Sequence, residues 1–215
     1  MADDDSRAGA RYYSPDILAY ADRTHASHDA SLARAFAVPE GIPRIQVGPS
    51  EGKLLELLVR MVDARKIVEV GTLVGYSAIR MARAMGEDGQ LWTIEYDPKH
   101  AEIARANIAA AGLADRIEVL VGAGAEMLPT LVGEAPFDIV FLDADKQGYD
   151  DYGKWALGHL RHGGLVIADN AFLFGDLLGD SAGAKSMRAF HERIAAACES
   201  VCIPTPDGLV VGIKR

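Results

Sequence analysis

The chain has 215 residues, 49% of them hydrophobic and 25% charged, which is enough for one well-buried core of ordinary globular make-up. A formal net charge of −9, with no basic patch, excludes a partner gripped by neutralising its phosphates. The opening MADDDSRAGA has neither the basic nor the apolar part of a secretory signal, and no apolar run approaches the roughly 20 residues of a bilayer span. A cytoplasmic location is expected, with neither membrane nor nucleic acid among the partners.

In chain order, the acidic MADDDSR is expected to be disordered, and Ser14 and Pro15 read as the N-cap and first turn of a helix over residues 14–37 that carries apolar Ile17, Leu18 and Ala21. His25 and His28 share a face of it, read as solvated because no third metal ligand lies near. VPEGIPRIQVGP is a loop reaching Ser50, and GKLLELLVRMV has the spacing of an amphipathic helix. Then follow strand KIVEV, a helix over residues 75–85, strand QLWTIE, a helix over 98–111, strand RIEVLVG, a helix over 124–131, strand FDIVFLD, a helix over 149–160 and strand GLVIAD. Five strand–helix alternations predict an α/β fold with a doubly wound, mostly parallel sheet. A last helix near residues 185–197 leads to ESVCIPTPDGLVVGIKR, where PDG between two β-rich runs predicts a terminal antiparallel hairpin. Cys198 and Cys202, four apart near the end of that helix, fit neither a redox pair nor a zinc framework and read as idle thiols.

Two stretches point to chemistry. After the first strand, residues 69–77 (EVGTLVGYS) form a turn with glycines four apart that opens a helix. Glycine lets the backbone approach a ligand closely, and Glu95, at the end of the second strand, stands where an acid accepts hydrogen bonds from a ribose diol. Together they indicate an adenosine-bearing cofactor. The turn does not spell the GxGxxG that favours a pyrophosphate, and the carboxylate of Glu69 beside it suits a cation, so S-adenosylmethionine fits better than a dinucleotide.

The second stretch is a pair, FLDADK at residues 141–146 and IADN at residues 167–170, each ending a buried-strand run. Ligands of open α/β sheets gather beyond the strands' carboxyl ends, so Asp143, Asp169 and Asn170 should meet at one rim. Two carboxylates and an amide oxygen form a hard, oxygen-only set suited to Mg²⁺ with positions left for substrate. Lys146 brings an amine to the same place, and a neighbouring dication favours its free form, which can accept a proton. Taken singly, each segment is also what a helix cap or turn looks like. An NAD-type oxidoreductase and a noncatalytic adenosine-cofactor module both remain open on these residues.

The chain resembles the class I S-adenosylmethionine-dependent O-methyltransferases of the metal-dependent catechol and caffeoyl-CoA type. The resemblance runs from about Gln46 to the C-terminus through VEVGTLVGYSAIRMARAM, TIEYDPKHAEIARANI, VGAGAEMLPTL, FDIVFLDADKQGYDDY and LRHGGLVIADNAFLFG, in that order. It implies one methyltransferase domain over residues 1–215, with a helical cap segment (1–45) and a Rossmann-like core (46–215). It implies Mg²⁺, or another divalent cation such as Ca²⁺ or Mn²⁺, on Asp143, Asp169 and Asn170, and Lys146 as the base. Cofactor contacts are implied for Val47, Glu69, Gly71, Thr72, Ser77, Glu95, Ala123, Asp143 and Asp145. The implied acceptor is a catechol or hydroxycinnamate-like small molecule, methylated on one hydroxyl, and the implied assembly is a homodimer. Ala144-Asp145 follows the caffeoyl-CoA-like and bacterial branch, whereas Phe174 replaces a polar substrate contact of the plant branch and disfavours a CoA ester. Tyr12, Tyr13, Phe172 and Phe174 are candidate walls for an aryl acceptor.

Overall fold

The computed structural model describes residues 13–215; the start MADDDSR and Tyr12 lie outside the described residues. The sheet is built from β1 (Lys66–Val70), β2 (Gln90–Glu95), β3 (Ile117–Val121), β4 (Phe137–Leu142), β5 (Leu160–Ala168), β6 (Cys198–Ile203) and β7 (Leu209–Lys214). Their order is β3-β2-β1-β4-β5-β7-β6, with β1 to β5 parallel and β7 antiparallel to both β5 and β6. This is the doubly wound, mostly parallel sheet with a C-terminal antiparallel hairpin that the alternation predicts.

The two-residue period of a strand divides the core between the faces of the sheet. Ile67, Leu91, Ile139, Phe141, Leu165 and Ile167 turn to one face with Leu55 and Val59 of α3 (Pro49–Met61), Ile79 and Met81 of α4 (Tyr76–Ala84), and Ala104 and Ile108 of α5 (Pro98–Ala110). Val68, Val70, Trp92, Val140, Leu142 and Val166 turn to the other, with Tyr149, Tyr152 and Ala156 of α7 (Tyr149–His159) and Met187, Phe190 and Ile194 of α8 (Ala182–Ala197). At the amino end of the strands, Asp138 ties three strands: its Oδ2 accepts from the backbone N–H groups of Arg65 and Lys66, both at 2.8 Å, and its Oδ1 from Arg161 at 2.6 Å. Those partners outweigh its burial and hold the Asp138 carboxyl below its ordinary range.

Several boundaries differ from expectation for local reasons. The helix expected over residues 14–37 is two, α1 (Pro15–His25) and α2 (Ala30–Phe36), because Asp29 caps a new start by accepting from the N–H groups of Ser31 and Leu32. His28, expected on a solvated face, instead lies in the break and packs on Phe36 and Tyr76, its Nε2 2.8 Å from the Tyr76 hydroxyl. The helix expected over residues 124–131 is one α turn, α6 (Gly124–Met127), continued as a 3₁₀ stretch (Leu128–Glu134) with Pro129 in its first turn. β5 begins four residues earlier than GLVIAD, since Leu160 pairs with Phe137 across a register shift, and α8 begins at Ala182, where Ser181 caps it through the Ala184 N–H. Cys198, buried, caps the C-terminus of α8 as the first residue of β6, and Cys202 stands further along that strand. Among the described residues no helix is long and apolar enough to cross a membrane.

The turn after β1 depends on one glycine. Gly71 has φ +104°, and a Cβ there would stand 2.0 Å from the carbonyl oxygen of Asp143, a backbone atom that cannot swing aside. Gly71→Ala should therefore lower stability by at least ~2 kcal/mol through clash and strain combined. Urea unfolding checks it, and an unchanged midpoint would show that the two segments part freely.

Candidate active site

The carboxyl ends of β1, β2, β4 and β5 open onto a cavity of about 980 Å³. Of the expected cofactor contacts, Val47, Gly71, Thr72, Ser77, Glu95, Ala123, Asp143 and Asp145 line it. Lys146, Asn170 and Phe174 share the same wall. Glu69 and Asp169 are almost fully buried at its edge and do not line it.

Glu95 grips the glycine turn from below. Its Oε2 accepts from the N–H groups of Thr72 at 3.2 Å and Leu73 at 2.7 Å, and its Oε1 from Asp97 at 2.9 Å. The acid expected to meet a ribose thus shapes the loop beside it, and its Oε1 also lies 3.4 Å from Nδ1 of His100, another cavity-lining residue. Glu69, wholly buried, accepts from Ser77 through Oε1 and from Thr93 through Oε2, each at 2.5 Å. Burial pushes its carboxyl up to about 8, with the charges of Asp143 and Glu95 adding to the shift against the two hydroxyl donors.

The metal-type set follows from strand register. Leu142 of β4 pairs with Ala168 of β5, so Asp143 and Asp169 leave adjacent strand ends together, and the ladder continues one step through Asp143 N–H to Val70 O (2.8 Å) and Asp169 N–H to Leu142 O (3.0 Å). Asn170 then turns with φ +54°, a conformation asparagine tolerates, and its N–H donates to Asp169 Oδ1 at 2.7 Å. Burial and the neighbouring charge of Asp143 push Asp169 up to about 7, and burial likewise raises Asp143 against the opposing pull of Lys146. Among the described residues no three His, Cys, Asp or Glu side chains gather as a metal cluster. The set is two carboxylates and an amide, short of positive charge, and its donor chemistry fits a hard divalent ion.

Lys146 Nζ lies 3.2 Å from Asp143 Oδ1 and 2.8 Å from the hydroxyl of Tyr149. Asp145 turns the other way: its Oδ1 accepts from Tyr152 at 2.6 Å and its Oδ2 from the Gly148 N–H at 3.1 Å. The sequence reading missed Tyr76, His100, Tyr149 and Tyr152. The two last stand in FLDADKQGYDDY itself, three and six residues beyond Lys146, but spacing alone does not tell a core tyrosine from one that holds a site. Phe174 is 74% exposed at the cavity mouth, whereas Phe172 is turned over Gly208. Tyr13 is half-exposed on the N-terminal segment and does not line the cavity.

Residues 25–215 match the O-methyltransferase family model. The chain belongs to the O-methyltransferase family. It is 44% identical over 177 residues to a catechol O-methyltransferase of Mycobacterium tuberculosis, covering 81% of this chain and 80% of that one. It is 42% identical over 207 residues to a catechol O-methyltransferase of Niastella koreensis, covering 95% and 91%. The crystal structure of the O-methyltransferase from Bacillus cereus in complex with SAH superposes with a TM-score of 0.88 at 34% identity, over 93% of this chain and 97% of that one. TomG from Streptomyces achromogenes, an O-methyltransferase involved in tomaymycin synthesis and solved with SAM, gives 0.88 at 37%, over 93% and 96%. This membership decides against the oxidoreductase and the noncatalytic module that the residues alone leave open.

The buried acid of this O-methyltransferase gives a pH test. A folded value of about 8 for Glu69 against an ordinary 4.5 means that the folded state holds a proton the unfolded chain releases. The Glu69 contribution is therefore complete below about 4.5 and is lost as pH rises through about 8. Between about pH 5 and about pH 9 the urea midpoint of the wild type should fall relative to that of Glu69→Gln. Parallel curves would show Glu69 ionised throughout.

Proposed function

We propose that this protein is a divalent-metal- and S-adenosylmethionine-dependent O-methyltransferase that methylates one hydroxyl of a vicinal diphenol. One observation carries the reading: Asp143 and Asn170 line one cavity with Lys146, Gly71, Ser77, Glu95 and Ala123, and Asp169, buried at its edge, leaves the strand end next to that of Asp143. The names of the relatives, catechol O-methyltransferase, and the SAM or SAH in the related structures support it.

Bound S-adenosylmethionine would supply an electrophilic methyl on a sulfonium, whose C–S pair stays on sulfur as the acceptor oxygen takes the carbon. A divalent ion on Asp143, Asp169 and Asn170 would supply a Lewis acid that favours the ionised acceptor hydroxyl. The chain's own part is to hold and to move a proton. Lys146 takes the hydroxyl proton onto Nζ, while Gly71 and Thr72 bring backbone against the cofactor and Glu95 accepts from its ribose hydroxyls. The acids Asp143 and Asp169 make the rim favourable to cations, among them a sulfonium and a metal ion. Much of the acceleration comes from alignment, which can remove roughly 7 to 11 kcal/mol of barrier. The acceptor class is a catechol or hydroxycinnamate-like small molecule, the location the cytoplasm and the assembly a homodimer.

EDTA should abolish methyl transfer to a catechol panel and added Mg²⁺ should restore it; full turnover in chelator would defeat the metal assignment. Lys146→Ala should lower kcat by on the order of 10²–10⁴ while leaving the calorimetric Kd for S-adenosylmethionine in place, since the amine works on the acceptor. Undiminished turnover would remove Lys146 as the base.

A further inference from the structure

Tyr149 is fully buried and is the first residue of α7, yet its hydroxyl joins three groups of the candidate site rather than of the core. The phenol oxygen lies 2.8 Å from Lys146 Nζ, 2.9 Å from the carbonyl of Asp169 and 3.1 Å from the carbonyl of Leu142. A phenol has one proton and two lone pairs. It donates that proton to the two carbonyls, which belong to the residue before Asp143 and to Asp169 itself, and it accepts from the amine. The oxygen therefore links the ends of β4 and β5 to each other and to the base. The ring cannot drift, because it packs edge-on against Phe190 at 5.7 Å within the core.

The geometry at the amine is more telling. Tyr149 Oη at 2.8 Å and Asp143 Oδ1 at 3.2 Å accept two of the N–H bonds of Lys146 Nζ. Lys146 is also a cavity-lining residue. Without the phenol oxygen one N–H loses its acceptor and the side chain can rotate about its last bonds, so that Nζ no longer has one orientation. Tyr152, three residues on, does not share this role, since its hydroxyl is engaged with Asp145.

We propose that Tyr149 is a positioning residue whose hydroxyl, anchored on the ends of β4 and β5, holds the Lys146 amine in one orientation at the cavity wall. This rests on the reading of Lys146 as the base. Tyr149→Phe keeps the ring and removes only the oxygen, and a thermal melt checks that the variant folds. kcat toward a diphenol should fall on the order of ten- to a hundred-fold with the calorimetric Kd for S-adenosylmethionine unchanged. On a Lys146→Ala background the same substitution should cost nothing further, because the phenol acts through the amine. Full kcat in Tyr149→Phe, or losses that multiply in the double variant, would overturn the proposal. A measurement independent of turnover and metal separates its failure from that of the functional reading. In protein labelled with ¹³C-lysine, relaxation of the Lys146 Cε should report a restricted side chain that becomes mobile in Tyr149→Phe. Should that variant fail to fold, the wild type still decides: a Lys146 Cε as mobile as that of exposed Lys99 would sink the proposal.

Discussion

The backbone of Gly71 runs so close to the carbonyl of Asp143 that no side chain fits between them, and the two halves of the candidate site meet at that contact. It arises because β1 and β4 are adjacent and parallel, with Val70 paired to Leu142, so that the turns leaving them cross the same rim. A nucleoside-type turn and an acidic loop are thereby held at one fixed offset. Methyl transfer needs that offset, since nucleophile and methyl carbon must be brought into line by two different parts of the chain.

The electrostatics of the rim have the same origin. Strand ends pointing into one crevice bring Glu69, Asp143 and Asp169 into a poorly solvated region, where burial raises all three carboxyls and the charge of Asp143 adds to the shift of the other two. Lys146 answers only part of that charge. Glu69 takes its donors from the Ser77 and Thr93 hydroxyls and Asp169 takes one from the Asn170 N–H, whereas Asp143 has the Lys146 amine. Asp138, at the opposite end of the same sheet, has the arginine partner and a lowered carboxyl.

Much of this was legible in the residues. The strand runs are apolar and β-branched, and a parallel sheet buried on both faces demands such runs, so periodicity and composition agree. The residues expected at the crevice largely reach it, because the rule that ligands gather at the carboxyl ends of parallel strands is a property of topology rather than of particular side chains. Where the reading failed, a local competitor won. Asp29 restarts the N-terminal helix by capping the N–H groups of Ser31 and Leu32, and the break it makes carries His28 from the surface onto Tyr76. Glu95 was expected as a ribose acid, and its role as the clamp of the turn was not legible, since that role needs Thr72 and Leu73 folded back over it.

The order of apolar runs, glycines and acids along the chain by itself determined the sheet class, the terminal hairpin and which residues stand at strand ends, because these follow from backbone periodicity and from φ/ψ limits that act locally. Tertiary structure alone decided which of those residues face the cavity and which lie behind it. Glu69 and Asp169 are buried while Asp143 and Asn170 are open to it, and the Tyr149 hydroxyl reaches across two strand ends. Such placements depend on the pairing of β4 with β5 and on the packing of α7 and α8 beneath them, contacts between residues far apart in the chain that no local pattern encodes.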